Sequence, residues 1–234
     1  MTASPILEFV LALQTVLRWK FVEVDDETEA PGPIALALAH ALLGLVLALA
    51  GTLLMLLVKS PWIAPAAAAL CTALLRGYLT GWRQSALPLR LAGLLTPEAD
   101  EENGVPLRLQ VTATWLSAAR PLLYFCLYTA GCQFWLMPAL ALGHLGAEDL
   151  RESLRGHAAP PQPWIPIVFL TVFAALFNRG SLTANLGVGL LVLILAWLLP
   201  GRMKAFELFR RSHSLNQFLL EGLVLCAFLL SLIF

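Results

Sequence analysis

The sequence predicts an all-helical bundle that crosses a membrane about seven times, as one membrane domain over residues 1–234. Two observations support this prediction. Hydrophobic residues make up 59% of the chain and charged residues only 13%, whereas a soluble domain carries about 25% charged residues. Residues 34–58 contain no charged side chain at all. The net charge is zero, which gives no reason to expect nucleic acid as a partner.

Apolar stretches divide the chain into seven predicted membrane-spanning helices. A helix rises about 1.5 Å per residue, so about 20 residues cross a hydrocarbon core about 30 Å thick. The predicted spans lie near residues 34–58, 62–82, 105–120, 121–145, 164–177, 182–199 and 218–234. The polar segment 83–104 separates the second and third spans and is the predicted cytoplasmic loop. The lipid bilayer is therefore the first expected partner.

The stretch 111–145 is too long for one span, and positive charge decides how it divides. Lys and Arg favour the cytoplasmic side of a membrane. If two spans meet at Arg120–Pro121, twelve of the 15 Lys and Arg residues share one face, and only Lys59, Arg120 and Arg179 lie on the other. A single span would place seven on each face. We therefore expect two spans here, with the N-terminus in the cytoplasm.

Polar side chains inside the predicted spans are candidates for function, because such groups are costly to bury in a membrane. Glu221 lies one turn into the last span and is expected to reach the interface or to pair with Arg210 or Arg211. His40 is expected to be hydrogen-bonded within the bundle, and Asn185 to make a helix–helix hydrogen bond. No polar pair stands out at mid-membrane, which disfavours a small-solute transporter.

The most polar part of the predicted cytoplasmic face follows the second span. Tyr78, Thr80, Arg83 and Gln84 lie close together there, beside Gly81. An arginine among hydroxyl groups suits a phosphate-bearing ligand, so these four are the predicted substrate-binding residues. The alternative is a solvated loop with one arginine that reaches from the apolar surface into water.

An acidic run in the same loop contains Asp100, Glu101 and Glu102. Carboxylate oxygens are ligands that Mg²⁺ prefers, so these three are the predicted metal ligands. A run that is simply solvated is the alternative. The sequence contains no Walker loop, no G-x-S-x-G, no H-E-x-x-H and no dinucleotide fingerprint, so no catalytic residue is assigned.

The order of segments carries a family resemblance over nearly the whole chain. An opening phrase from Leu13 to Arg18 precedes a Gly/Leu-rich span from Ala41 to Leu53, and a final helix holds an acid, Glu221. This order resembles the cobalamin-5′-phosphate synthase family (adenosylcobinamide-GDP ribazoletransferase). The resemblance implies a multi-pass enzyme of a bacterial-type cytoplasmic (inner) membrane, which joins GDP-activated cobinamide to a ribazole nucleotide with Mg²⁺ as cofactor.

The chain departs from this family at the acidic motif that would hold the metal. With the two aligned on Gly81, Tyr78 replaces the motif's histidine, and Thr80, Gln84 and Leu87 replace its three acids. Neutral oxygens cannot neutralise a divalent cation as carboxylates do. Two functions therefore stay open. One is a transferase of the family's type, and the other is a non-catalytic membrane subunit or scaffold that docks a protein partner through its cytoplasmic loops.

Overall fold

The structure is a computed structural model, and it describes residues 4–19, 21, 30–81, 107–154, 164–178, 181–203 and 213–231. Over these residues the chain is all-helical, with eight α-helices, one 3-10 helix and no strand. The α-helices are α1 (Pro5–Leu17), α2 (Pro33–Leu57), α3 (Ile63–Leu79), α4 (Leu107–Ala130), α5 (Leu136–Leu154), α6 (Trp164–Phe177), α7 (Leu182–Met203) and α8 (His213–Ser231). The 3-10 helix, Gln133–Trp135, stands between α4 and α5.

Local sequence explains the ends of the first three helices. The Ser4 hydroxyl caps α1 by accepting a hydrogen bond from the backbone N–H of Leu7 at 3.3 Å. Pro33 lies in the first turn of α2, where a missing N–H costs little. After α3 the chain turns at Gly81, whose φ of 63° lies in the left-handed region that glycine readily adopts.

The stretch 105–145 divides at a different point from the predicted one. Two helices do occur, but α4 runs through Arg120 and Pro121 and ends at Ala130. The boundary predicted at residues 120 and 121 is therefore wrong. A proline removes one hydrogen bond from a helix and need not end it when neighbouring helices hold the chain. The turn occurs instead at Gly131, whose φ is 70°.

The other five predicted spans each overlap a helix, from α2 and α3 to α6, α7 and α8. The largest difference is at α8, which begins at His213, ahead of the predicted residue 218. By length and apolar composition, α2 is the one helix in the described part of the chain that could cross a membrane. The remaining apolar helices found there are shorter. The predicted cytoplasmic loop, 83–104, lies outside the described residues.

The centre of the fold is α5 together with the 3-10 helix before it. Every residue from 131 to 147 is buried, and α2, α6, α7 and α8 all pack against α5. Two glycines permit close approach of backbones. A Cβ added at Gly44 would lie 2.6 Å from the carbonyl oxygen of Leu136, and one at Gly143 would lie 2.9 Å from Cβ of Glu221. On the outer side, α3 packs between α2 and α4, while α1 packs against α2.

Candidate functional site: a buried charged centre

Of the predicted substrate-binding residues, the structure describes Tyr78 and Thr80. Tyr78 is 65% exposed near the end of α3. The Thr80 hydroxyl turns back on its own helix and donates to the Arg76 carbonyl oxygen at 2.8 Å. Arg83 and Gln84 lie outside the described residues, as do the predicted metal ligands Asp100, Glu101 and Glu102.

An ion pair lies where the sequence predicted none. Arg76 of α3 and Glu221 of α8 are 4% and 1% exposed. Both terminal nitrogens of the arginine donate to the carboxylate, and Nη2 lies 2.7 Å from Oε2. Such two-point pairing is among the strongest hydrogen-bonded arrangements in proteins. The sequence predicted that Glu221 reaches the interface, but its carboxylate is instead paired inside the bundle. Arg210 and Arg211, the other predicted partners, lie outside the described residues.

A second arginine joins this pair from α4. Arg120 places Nη2 3.5 Å from Oε2 of Glu221, and its guanidinium carbon lies 4.2 Å from the centre of the Phe218 ring. An aromatic face attracts a cation at this distance. One carboxylate thus interacts with arginines from two helices. We call Arg76, Arg120, Glu221 and the nearby Tyr124 the charged centre.

Paired side chains one helical turn apart hold α3 against α4. Thr72 and Arg76 lie four residues apart on α3, and Tyr124 and Tyr128 are spaced likewise on α4, so each pair lies on one helix face. Arg76 Nη1 donates to the Tyr124 hydroxyl at 2.6 Å. The Tyr128 hydroxyl donates to the Leu47 carbonyl at 3.0 Å, and it accepts from Thr72 across 2.6 Å. These bonds fix the position of Arg76 relative to α2 and α4.

Two buried histidines adjoin the charged centre. The rings of His40 and His144 stack with centroids 4.4 Å apart and planes 15° from parallel. His40 Nδ1 lies 2.8 Å from the Leu36 carbonyl oxygen, so the expected hydrogen bond within the bundle is present. His144 follows Gly143, which contacts Glu221. Within the described residues, no group of three or more His, Cys, Asp or Glu side chains is placed to hold a metal ion.

A second polar region lies where the 3-10 helix, α6 and α7 meet. It consists of four uncharged side chains that are each more than nine-tenths buried: Gln133, Thr171, Asn178 and Asn185. We call it the carboxamide junction. Asn178 Oδ1 accepts a hydrogen bond from the Phe134 N–H at 3.1 Å. In the described part of the chain, the amide nitrogen of Asn185 finds no partner, so it does not make the predicted helix–helix hydrogen bond.

Comparison with known proteins assigns no family. The chain matches no protein-family model, no curated protein and no solved structure. The resemblance to the cobalamin-5′-phosphate synthase family therefore stays a prediction from the sequence, and the site must be interpreted from its own geometry.

Sequence reasoning missed most of the charged centre. Arg76 was counted only among the charges of the cytoplasmic face and Arg120 was taken as the end of a span, although both lie inside helices. His144 was not singled out at all. A usable signal was present, since each arginine interrupts an apolar stretch and has a polar residue four positions away on the same helix face, Thr72 for one and Tyr124 for the other.

Proposed function

We propose that the chain is a multi-pass protein of a bacterial-type cytoplasmic membrane, with α2 to α8 as its seven spans. Large apolar side chains face outward on several helices, among them Leu56 at 71%, Ile165 at 85% and Phe169 at 69% exposure. A surface of this kind aggregates in water and is stable against lipid. By contrast, α1 carries the acid Glu8 in its first turn, and a charged side chain is costly inside a membrane, so we leave α1 out of the spans.

The charge distribution supports the same topology. Arg76 and Arg120 belong to the buried centre, which leaves 13 Lys and Arg residues outside it. With α2 to α8 as spans, eleven of these 13 fall on the side of the N-terminus, and only Lys59 and Arg179 fall on the other. Because positive residues favour the cytoplasm, the N-terminus belongs there.

Cysteine labelling tests this topology. In a variant whose four native cysteines are replaced by alanine, single cysteines are placed by Ser4→Cys, Ser60→Cys and Ser181→Cys. A membrane-impermeant maleimide added to intact cells should label positions 60 and 181, whereas position 4 should react only after permeabilisation. Labelling of 60 and 181 from opposite sides would contradict seven spans.

For the activity, we propose a transferase that acts on a phosphate-bearing substrate at the end of the bundle where α3 ends. The observation that carries this proposal is the meeting of Arg76 and Arg120 in one cluster. Arg76 lies one helical turn before Thr80, and the predicted substrate-binding segment follows directly. Two guanidinium groups suit a phosphate or pyrophosphate, whose charge they neutralise through paired N–H donors.

The resemblance supplies the substrate and the reaction for this proposal. GDP-activated cobinamide would be joined to a ribazole nucleotide, and GMP would leave. Mg²⁺ is the cofactor that the resemblance implies, and Asp100, Glu101 and Glu102 are the ligands that the acidic run predicts for it if the activity is retained. Since those acids lie outside the described residues, no step of the proposal is assigned to the metal.

The test incubates the purified protein with adenosylcobinamide-GDP, the ribazole nucleotide and Mg²⁺, and measures the GMP that is released. We expect turnover that falls at least tenfold in Arg120→Gln and is unchanged in Lys59→Gln, a control at the opposite end of the bundle. A monodisperse elution profile shows that each variant is folded. A family member with the complete acidic motif is assayed under the same conditions. If that enzyme releases GMP and this protein releases none, the proposal is wrong.

A specific observation favours a second function. Glu221 already pairs with Arg76 and Arg120, so its carboxylate occupies the donors that a phosphate would use. A centre of that kind serves to fix α3, α4 and α8 relative to one another, as in a non-catalytic subunit or scaffold that docks a protein partner. Copurification from membranes with a stoichiometric partner, together with no GMP release, supports this alternative. A lone monodisperse protein in mild detergent counts against it.

A further inference from the structure

The carboxamide junction is a polar site that the proposed activity does not use. It lies beside the 3-10 helix, near the start of α5, whereas the charged centre contacts α5 at Gly143. Its four side chains are between 3% and 8% exposed. Packing around it is close, because a Cβ added at Gly189 would lie 2.9 Å from the Trp135 ring.

Neighbouring hydrogen bonds fix the orientation of two of the carboxamides. The Thr52 hydroxyl donates to the Ala48 carbonyl at 2.7 Å, so its oxygen accepts from Gln133 Nε2 at 3.1 Å. Similarly, the Phe134 N–H requires an oxygen of Asn178 as acceptor at 3.1 Å. Neither amide can be flipped without losing a bond. Gln133 is left with its carbonyl oxygen, and Asn178 with its NH2 group.

Four buried polar atoms at this junction have no hydrogen-bond partner among the residues that the structure describes. They are Gln133 Oε1, Thr171 Oγ1, Asn178 Nδ2 and Asn185 Nδ2. Burying one such group without a partner is costly, and the cost is greatest in an apolar bundle. The set combines an acceptor, NH2 donors and a hydroxyl, and every group is uncharged. Small neutral molecules that both donate and accept hydrogen bonds satisfy groups of this kind.

We propose that the carboxamide junction binds ordered water. Water is the smallest molecule with both donors and acceptors, and buried water typically makes about three hydrogen bonds to polar groups of this kind. Water held between Gln133 and Asn178 links the 3-10 helix to the end of α6, and water at Thr171 and Asn185 links α6 to α7. The hairpin of α6 and α7 is thus attached to α5 partly through solvent.

Conservative substitutions distinguish bound water from unsatisfied groups. Thr171→Val and Asn185→Leu keep the approximate shape and remove the polar atoms. If those atoms bind water, each variant loses hydrogen bonds, and we expect the unfolding midpoint in detergent to fall by about 2–4 °C. If the atoms are simply unsatisfied, their removal raises the midpoint and overturns the proposal. Thr129→Val, at an exposed threonine of α4, is the control and should leave the midpoint unchanged.

Hydroxyl-radical footprinting locates the water independently of stability. Radicals generated by an X-ray pulse from bound water modify the side chains beside it. Trp135, which is 2% exposed, should be modified, whereas Tyr128, which is 1% exposed and bonded to Thr72 and Leu47, should stay unmodified. Equal protection of both rings would overturn the proposal. So would an organic molecule that native mass spectrometry detects on the unchanged protein and no longer detects on Asn185→Leu.

Discussion

The charged centre and the carboxamide junction contact opposite halves of the helical segment that runs through the middle of the bundle. Gln133 and His144 are about 16 Å apart along this segment, at about 1.5 Å per residue. In the charged centre, Arg76 and Glu221 bond to each other directly. At the junction, direct bonds orient two carboxamides and leave other polar atoms without a partner in the described residues.

This difference shows that, inside an apolar bundle, charged side chains need direct protein partners more than neutral polar side chains do. A buried charge without a counter-charge costs several kcal/mol, so it requires a partner in fixed geometry. A neutral amide costs less to leave partly bonded, and water is sufficient to satisfy it. The charged centre should therefore contribute far more to the unique arrangement of helices than the junction does.

The largest expected effect follows from removing the counter-charge in the charged centre. Glu221→Gln keeps the shape of the side chain but leaves Arg76 and Arg120 without the carboxylate. We expect the free energy of unfolding to fall by about 3–5 kcal/mol, as for a broken buried ion pair. Thermal unfolding in detergent measures the loss. Glu8→Gln, at a partly exposed acid, is the matched control, and an equally small change in both variants would contradict the account.

A smaller loss of stability is expected from a substitution at Gly44, where α2 packs against the start of α5. A Cβ at Gly44 would meet the Leu136 carbonyl oxygen and the Met137 backbone, which cannot move aside as a flexible side chain can. Gly44→Ala should destabilise the protein by about 1–3 kcal/mol. Gly187→Ala, where the added Cβ meets nothing within 4 Å, should be neutral or stabilising by up to about 1 kcal/mol. The same unfolding assay compares the two, and the reverse order would be inconsistent with the packing.

The smallest expected effect concerns the bonds beside the charged centre. Tyr128→Phe removes the hydroxyl that bonds to Thr72 and to the Leu47 carbonyl. The loss should be about 1–2 kcal/mol, because two neutral hydrogen bonds of about 1 kcal/mol each are removed. Tyr78→Phe, at an exposed tyrosine, should change the unfolding free energy less. If Tyr78→Phe lowers the unfolding free energy more than Tyr128→Phe does, the pairing of α3 with α4 does not depend on the Tyr128 hydrogen bonds.

The helices could be predicted from the sequence because their signal is local. An uncharged apolar stretch and a Pro or Gly at its end are enough to place α2, and the same applies to most of the other helices. The boundary at Arg120–Pro121 was placed wrongly because a charge next to a proline is typical of a helix end. In the folded chain, Glu221 and Phe218 surround Arg120 and keep it inside the bundle.

The charged centre could not be predicted because its partners are distant in sequence. Arg76 and Glu221 are separated by 145 residues, and no spacing pattern links two single charges so far apart. Each charge alone suggested a helix end or the interface. The mutual approach of α3, α4 and α8 is what converts them into a buried cluster. Single charges taken one at a time therefore did not reveal the pair.

The most direct test of the account is a double-mutant cycle across the ion pair. Arg76→Met, Glu221→Met and the double variant are compared with the unchanged protein by unfolding in detergent. Each single variant leaves one charge of the pair without its main partner. The double variant removes both charges of the pair, and it leaves Arg120 without Glu221 just as Glu221→Met alone does. We predict that the double variant loses less stability than the two single losses added together, with a coupling free energy of about 2–3 kcal/mol. Additive losses, with a coupling near zero, would contradict the claim that Arg76 and Glu221 pair inside the bundle.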